Sequence, residues 1–263
     1  MNEDLGEILE GALPRRVMTL FMLIDTSGSM RVDGNIGKVN RAVEETIQQL
    51  RDISDDNFDA EIRVAIMSFA NDCQWITSGA VPIDEAAASW NDLNANGVTA
   101  MGEAFKELER KLSRSQFLAS STGAYAPVLI LLSDGMPSHD ITPGLEALQH
   151  NNWYKVATKI AIAVDGAAED ALQRFTGNPE HVIRYDSDRQ DLQTLITTLA
   201  VVSSKMQSHS RGANDMGEAV EKGDSIAADI KAGDEVATVA IETALEQSAI
   251  QANPNPGGFW QFS

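Results

Sequence analysis

The chain is short of cysteine, of basic residues and of long apolar stretches, and each shortage removes a class of function. Its 263 residues include one cysteine, Cys73, so an internal disulfide framework is excluded. A lone thiol of this kind is expected to be buried and unreactive. Lysine and arginine number 20 against 39 aspartates and glutamates, a formal net charge of −19. That balance argues against nucleic-acid binding and against an anionic membrane surface, since both favour cationic side chains. No segment approaches the uninterrupted apolar length that crosses a bilayer. The stretch Met1–Arg16 is acidic and broken by Gly6, Gly11 and Pro14, without the basic start and apolar core of a secretory signal. A cytoplasmic location is therefore expected.

Catalytic signatures are equally scarce. Gly34-Asn35-Ile36-Gly37-Lys38 has glycines too close together for a phosphate loop, and no Ser or Thr follows the lysine. No G-x-G-x-x-G follows an apolar run. Ser138-His139-Asp140 sets three triad residue types side by side, whereas a triad needs side chains converging from separate loops. It reads as a polar loop, with Ser138 and His139 as candidate partner contacts. His150, His181 and His209 are scattered, without zinc-ligand spacing.

What is present is an α/β pattern. A hydrophobic share of 43% is enough for a sizeable core, and the length suits one large domain plus an appendage. Val17–Ile24 is an apolar run that reads as a strand buried on both faces. Further strands are expected at Glu61–Ala70, at Gln74–Ile83 on an edge because of Pro82, at Val128–Leu132, at Lys159–Asp165 and at His181–Tyr185. Helical spacing marks Lys38–Ile53, a helix opened by Thr99 as N-cap, Pro143–His150 and Leu192–Met206. Strands alternating with helices imply a doubly wound, mostly parallel sheet with one short antiparallel edge strand and helices on both faces. Ligands of such sheets sit beyond the carboxyl ends of the strands.

At the carboxyl end of the first strand the chain switches to Asp25-Thr26-Ser27-Gly28-Ser29. Short oxygen-bearing side chains at alternate positions suit a hard divalent cation, magnesium above all. This Asp-x-Ser-x-Ser pattern resembles the first element of the metal-ion-dependent adhesion site of von Willebrand factor A domains. The resemblance implies a threonine in a later loop and an aspartate ending another strand. Asn96-Gly97-Val98-Thr99-Ala100-Met101-Gly102 and Val128-Leu129-Ile130-Leu131-Leu132-Ser133-Asp134-Gly135 look like those elements, with Val98 where bacterial members often carry a second glycine. Carried over by position, the implied ligands are Asp25, Ser27, Ser29, Thr99 and Asp134, around Mg2+ or alternatively Mn2+ or Ca2+.

Two carboxylates and neutral hydroxyls leave a cation with residual charge and an exchangeable water position. An Asp or Glu from another protein fits that position. The resemblance thus implies a non-enzymatic, metal-dependent protein-interaction module. Within the family, "MLIDTSGSM", "GVTAMGEAF" and "LLSDGMPSHD" look most like small intracellular bacterial proteins of the tellurite-resistance TerY type. That resemblance implies a scaffold or regulator in a stress-response or signalling assembly with a Ser/Thr kinase and a phosphatase. The alternatives are a metal-dependent phosphoryl-handling enzyme and a cofactor of an ATPase machine.

Residues 1–14 are expected to form an extension, 15–208 the domain and 209–263 an acidic, Ala/Gly-rich tail. Gly212, Gly217, Gly223 and Gly233 are expected to interrupt helices there, leaving Glu235–Gln251 as the best helical candidate. The tail reads either as a disordered, solubilising segment or as a peptide docking Phe259, Trp260 and Phe262 into a partner or back onto the domain.

Overall fold

A computed structural model describes residues 15–56, 60–134, 136–164, 169–208, 220 and 227–253. Five parallel strands form its centre in the order β2 (Ala60–Phe69), β1 (Arg16–Asp25), β5 (Val128–Ser133), β6 (Thr158–Ala163) and β7 (Val182–Arg184). β1 lies between β2 and β5, with Asp25 opposite Phe69 and Ile24 opposite Leu132. Every β1 residue from Val17 to Asp25 is buried, as its unbroken apolar run requires. Two short strands, β3 (Cys73–Trp75) and β4 (Val81–Pro82), pair antiparallel with β2. The expected edge strand over Gln74–Ile83 is thus split in two. It ends where Pro82 takes the N-cap of helix α2 (Ile83–Ser89), whose first turn carries Asp84 and Glu85.

The period-two alternation of β1 sorts the helices into two layers. Met18, Leu20, Met22 and Ile24 pack with α1 (Asn35–Asp56), α2, α7 (Leu192–Ser208) and α8 (Ala227–Ala252). Phe21 and Leu23 pack on the other face with α3 (Met101–Lys111), α4 (Thr142–His150), α5 (Asn152–Val156) and α6 (Glu169–Thr176). Helices α2, α5 and α6 fall outside the elements expected from the sequence. Helix α3 starts at Met101 with Ala100 as N-cap and no side-chain cap bond, so Thr99 does not cap it.

Helix α8 is longer than Glu235–Gln251, and Gly233 lies within it. A Cβ at Gly233 would sit 3.0 Å from the Val156 carbonyl oxygen and 3.2 Å from that of Ala157. The glycine therefore lets the helix backbone approach the α5–β6 corner, an advantage that outweighs its poor propensity. Helix α8 runs antiparallel to α7 through buried alanines at 237, 240 and 244. Thr198 Oγ1 donates to Gln247 Oε1 at 3.0 Å, and Asp191 N donates to the Ser248 carbonyl at 3.2 Å. At the other end of α7, Gln207 Nε2 donates to Thr158 Oγ1 at 2.9 Å. The last turns of α8 therefore lie at the end of the sheet where the parallel strands terminate.

Lys159 is a buried cation beside α8. Its Nζ donates to the carbonyls of Tyr154, Lys155 and Ala157 at 3.2, 3.3 and 2.9 Å, the acceptors left at the end of α5. Burial pushes its pKa down to about 8, and the charge of Asp234 on α8 partly opposes that shift. Among the described residues no helix is long and apolar enough to cross a membrane.

Candidate metal centre

Three loops meet beyond the carboxyl ends of β1 and β5. Asp25 closes β1 with no exposed surface, and both its oxygens are held. Ser27 N donates to Oδ1 at 2.8 Å, and Ser133 Oγ, at the end of β5, donates to Oδ2 at 2.6 Å. Thr26 turns the other way: its N donates to the Phe69 carbonyl at 2.8 Å and its Oγ1 to the same oxygen at 3.2 Å. The hydroxyls of Ser27 and Ser29 are 3.0 Å apart. Asp25, Ser27 and Ser29 thus share one loop whose intervening threonine is tied to β2.

The second loop is stitched to the first. Gly28 N donates to the Gly97 carbonyl at 3.0 Å, and Asn96 N to the Thr26 carbonyl at 2.7 Å. A Cβ at Gly28 would lie 3.3 Å from the Gly97 oxygen, so the glycine permits this approach. Gly97 has φ +83°, and Val98 N donates to Asn71 Oδ1 at 3.0 Å. Thr99, buried, is fixed to the third loop by a reciprocal pair. Its N donates to Ser138 Oγ at 2.9 Å, and Ser138 N donates to the Thr99 carbonyl at 3.0 Å.

Asp134, half-buried, follows β5 directly. Burial raises the pKa of Asp25; the hydrogen bonds from Ser133 and Ser27 oppose that rise, and the nearby charge of Asp134 adds to it. The two carboxylates therefore lie within electrostatic reach of each other. His139 is exposed, as is Ser138 apart from its bond to Thr99. Phe259, Trp260 and Phe262 lie outside the described residues. Ser133, Thr26 and Asn71 are supporting residues that motif reading passes over. A lone serine closing the apolar run of β5 was the one available signal.

The donor set fits a hard divalent cation. All five side chains offer oxygen, and two of them are carboxylates whose proximity in a desolvated mouth a cation would offset. Among the described residues no three His, Cys, Asp or Glu side chains group as a metal cluster. Coordination here would depend on hydroxyls. A cavity of about 420 Å³ opens beside Thr26, lined by Ser68, Asp72, Gln74, Asn91 and Asp92 among others.

No curated protein sequence matches the chain. Solved structures do. A von Willebrand factor type A protein from Catenulispora acidiphila is similar at 16% identity and TM-score 0.50, over 72% of this chain and 42% of that one. Proximal thread matrix protein 1 from the mussel byssus is similar at 14% identity and TM-score 0.54, over 73% and 49%. The pilus adhesin SpaC from Lactobacillus rhamnosus GG is similar at 13% identity and TM-score 0.54, over 74% and 31%. The chain spans less than half the length of each, and at these identities the likeness concerns the fold. The sequence profile of the von Willebrand factor type A domain matches residues 20–198, more than half of the chain. The chain belongs to the von Willebrand factor type A domain family.

Proposed function

We propose that Asp25, Ser27, Ser29, Thr99 and Asp134 hold a divalent cation, magnesium in the first instance with manganese and calcium as substitutes. Through it the protein captures an acidic side chain of a protein partner. The observation that carries this reading is the stitching of three separate loops around Asp25, a buried carboxylate beside the charge of Asp134. When bound, the cation supplies positive charge and an exchangeable water position. The chain's own contribution is orientation. Ser133 and Ser27 N fix the Asp25 carboxylate, and Asn71 and Ser138 accept from the consecutive amides of Val98 and Thr99. No residue in this arrangement is assigned to bond making, and the role is interaction rather than catalysis.

The finer reading is a cytoplasmic scaffold or regulator in a bacterial stress-response or signalling assembly, joined to a Ser/Thr kinase and a phosphatase. Its support is the resemblance of residues 22–30, 97–105 and 131–140 to TerY-type sequences. Calorimetry of the pure chain with Mg2+, Mn2+ and Ca2+ tests the site. One-to-one uptake lost in Asp25→Ala and Asp134→Ala, with the fold retained, is expected; equal uptake by the variants would remove the proposal. Capture of the kinase or phosphatase with and without chelator tests the finer role.

A further inference from the structure

Ser68 breaks the pattern of its strand. Ile62, Val64 and Ile66 precede it on the face of β2 that packs with α1 and α2, and Ile24 of β1 lies opposite it. Ser68 therefore stands where an apolar side chain would continue the core. It is 8% exposed, and its hydroxyl meets no hydrogen-bond partner among the described residues. A buried hydroxyl left unmet costs about 1–3 kcal/mol. This one opens on the cavity of about 420 Å³ beside Thr26, which Ser68 lines together with Gln74, its antiparallel neighbour on the same face of the sheet.

Both walls of the cavity are fixed. One is the β2–β3 corner, where Ala70 N donates to the Asp72 carbonyl at 3.0 Å and Ala100 N to the Ala70 carbonyl at 2.8 Å. The other is the chain leaving α2. There Asn40 Nδ2 donates to the Leu93 carbonyl and Leu93 N donates to Asn40 Oδ1, both at 3.0 Å. Each wall contributes one aspartate, Asp72 and Asp92, and among the described residues no other ionisable side chain lines the cavity. Neither carboxylate makes a hydrogen bond or ion pair among the described residues. With the Ser68 hydroxyl and the amide oxygens of Gln74 and Asn91, they form a set of acceptors for a cation rich in N–H donors. A guanidinium offers its donors in a planar, weakly hydrated fork, whereas an ammonium is compact and strongly hydrated. Acceptors spread over two walls suit the fork.

We propose that this cavity receives the guanidinium group of an arginine on a protein partner, with Asp72 and Asp92 as its counter-charges and Ser68 as its deepest acceptor. Thr26 is shared between the cavity and the Asp25 loop, while Asp72, Gln74, Asn91 and Asp92 are exposed. A side chain reaching inward past them stays joined to a surface outside. The partner then presents an arginine beside its acidic residue; that pairing rests on the metal site proposed above, whereas the cavity itself does not.

Amide NMR of the full chain, titrated in chelator with N-acetyl-arginine amide, tests it. Shifts are expected at Ser68, Gln74, Asn91 and Asp92, and N-acetyl-citrulline amide, the uncharged isostere, should bind about tenfold more weakly or less. Asp72→Asn and Asp92→Asn, both at exposed positions, should each weaken binding about tenfold. Ser68→Val keeps every charge and should also weaken it, while Asp188→Asn, beyond β7 at the opposite edge of the sheet, should leave it unchanged. No shift at the cavity residues, or equal binding of the citrulline amide, would overturn the proposal. So would an equal loss in Asp188→Asn, which would show only a general attraction to acidic surface. Free L-arginine is the last probe. An affinity about tenfold above that of the blocked amide would assign the cavity to a small molecule and overturn the partner assignment. No divalent cation is present in any of these titrations, so their failure is distinguishable from failure of the metal site.

Discussion

Replacing Asp25 by Asn should stabilise the cation-free protein and abolish its response to divalent cations. The carboxyl group has no exposed surface and feels the charge of Asp134. At neutral pH, without a cation, its ionised form is disfavoured by burial first and by that neighbour second. Asparagine keeps the shape. Its Oδ1 can still accept from Ser27 N, and its amide can donate to a rotated Ser133 hydroxyl, so two hydrogen bonds survive while the charge is lost. The gain is on the order of 1–2 kcal/mol, since a buried charge is only partly compensated by its hydrogen bonds. The pH dependence has a definite sign. Because the folded-state pKa of Asp25 lies above the ordinary 3.8, the folded chain binds more protons than the unfolded one just above that value. Wild-type stability then falls as pH rises from 3.8 through the raised pKa, and Asp25→Asn removes that slope. With cation at a hundred times its dissociation constant, the wild type should gain about 2.7 kcal/mol, or roughly 5–10 °C in Tm. The assay is chemical and thermal denaturation in chelator and in excess Mg2+, over a pH series. A variant less stable than wild type in chelator, or one whose Tm still rises with Mg2+, would refute the reasoning.

Three further outcomes can be checked with the same equipment. Gly97→Ala places a Cβ at φ +83° against the Asn71 side chain. It should cost about 2 kcal/mol or more by urea titration and weaken cation uptake by shifting the Thr99 loop. Gly37→Ala and Gly233→Ala both remove a helical glycine but should differ in sign. A Cβ at Gly37 meets only the Arg41 guanidinium at 3.9 Å and should add up to about 1 kcal/mol, whereas the carbonyls against Gly233 should turn that gain into a net loss of about 1 kcal/mol. Finally, Lys159 is lowered from 10.5 to about 8, so the folded chain binds fewer protons than the unfolded one between those values. Stability should rise with pH across that window, and Lys159→Met should flatten this rise.

The central strands were legible because Val17–Ile24 and Val128–Leu132 are apolar on both faces, which only a doubly covered strand requires. The oxygen-bearing loop at Asp25 was legible for the opposite reason, an abrupt change to small polar residues at alternate positions. Gly233 misled because helix propensity treats glycine as a breaker, while its use here depends on the distant carbonyls of Val156 and Ala157. Thr99 looked like a cap from its place before a helix. The hydrogen bond between its N–H and Ser138 crosses 39 positions, a relation that no local pattern contains. Helix α5 is five residues long, too short to display a helical period, and is started by Asn151 accepting from the N–H groups of Trp153 and Tyr154. Ser133 was hidden by its neighbours, since one hydroxyl after five apolar residues reads as the end of a strand rather than as a clamp on Asp25.

The innermost position of β1 bears on how the molecule responds to damage. Amides of a strand paired along both edges open only when most of the architecture opens with them, whereas α8, resting on alanines, should yield at far lower free energy. A protease that nicks or peels away the periphery would therefore leave the floor beneath Asp25 standing, and the oxygen-lined mouth would outlast the layers that surround it.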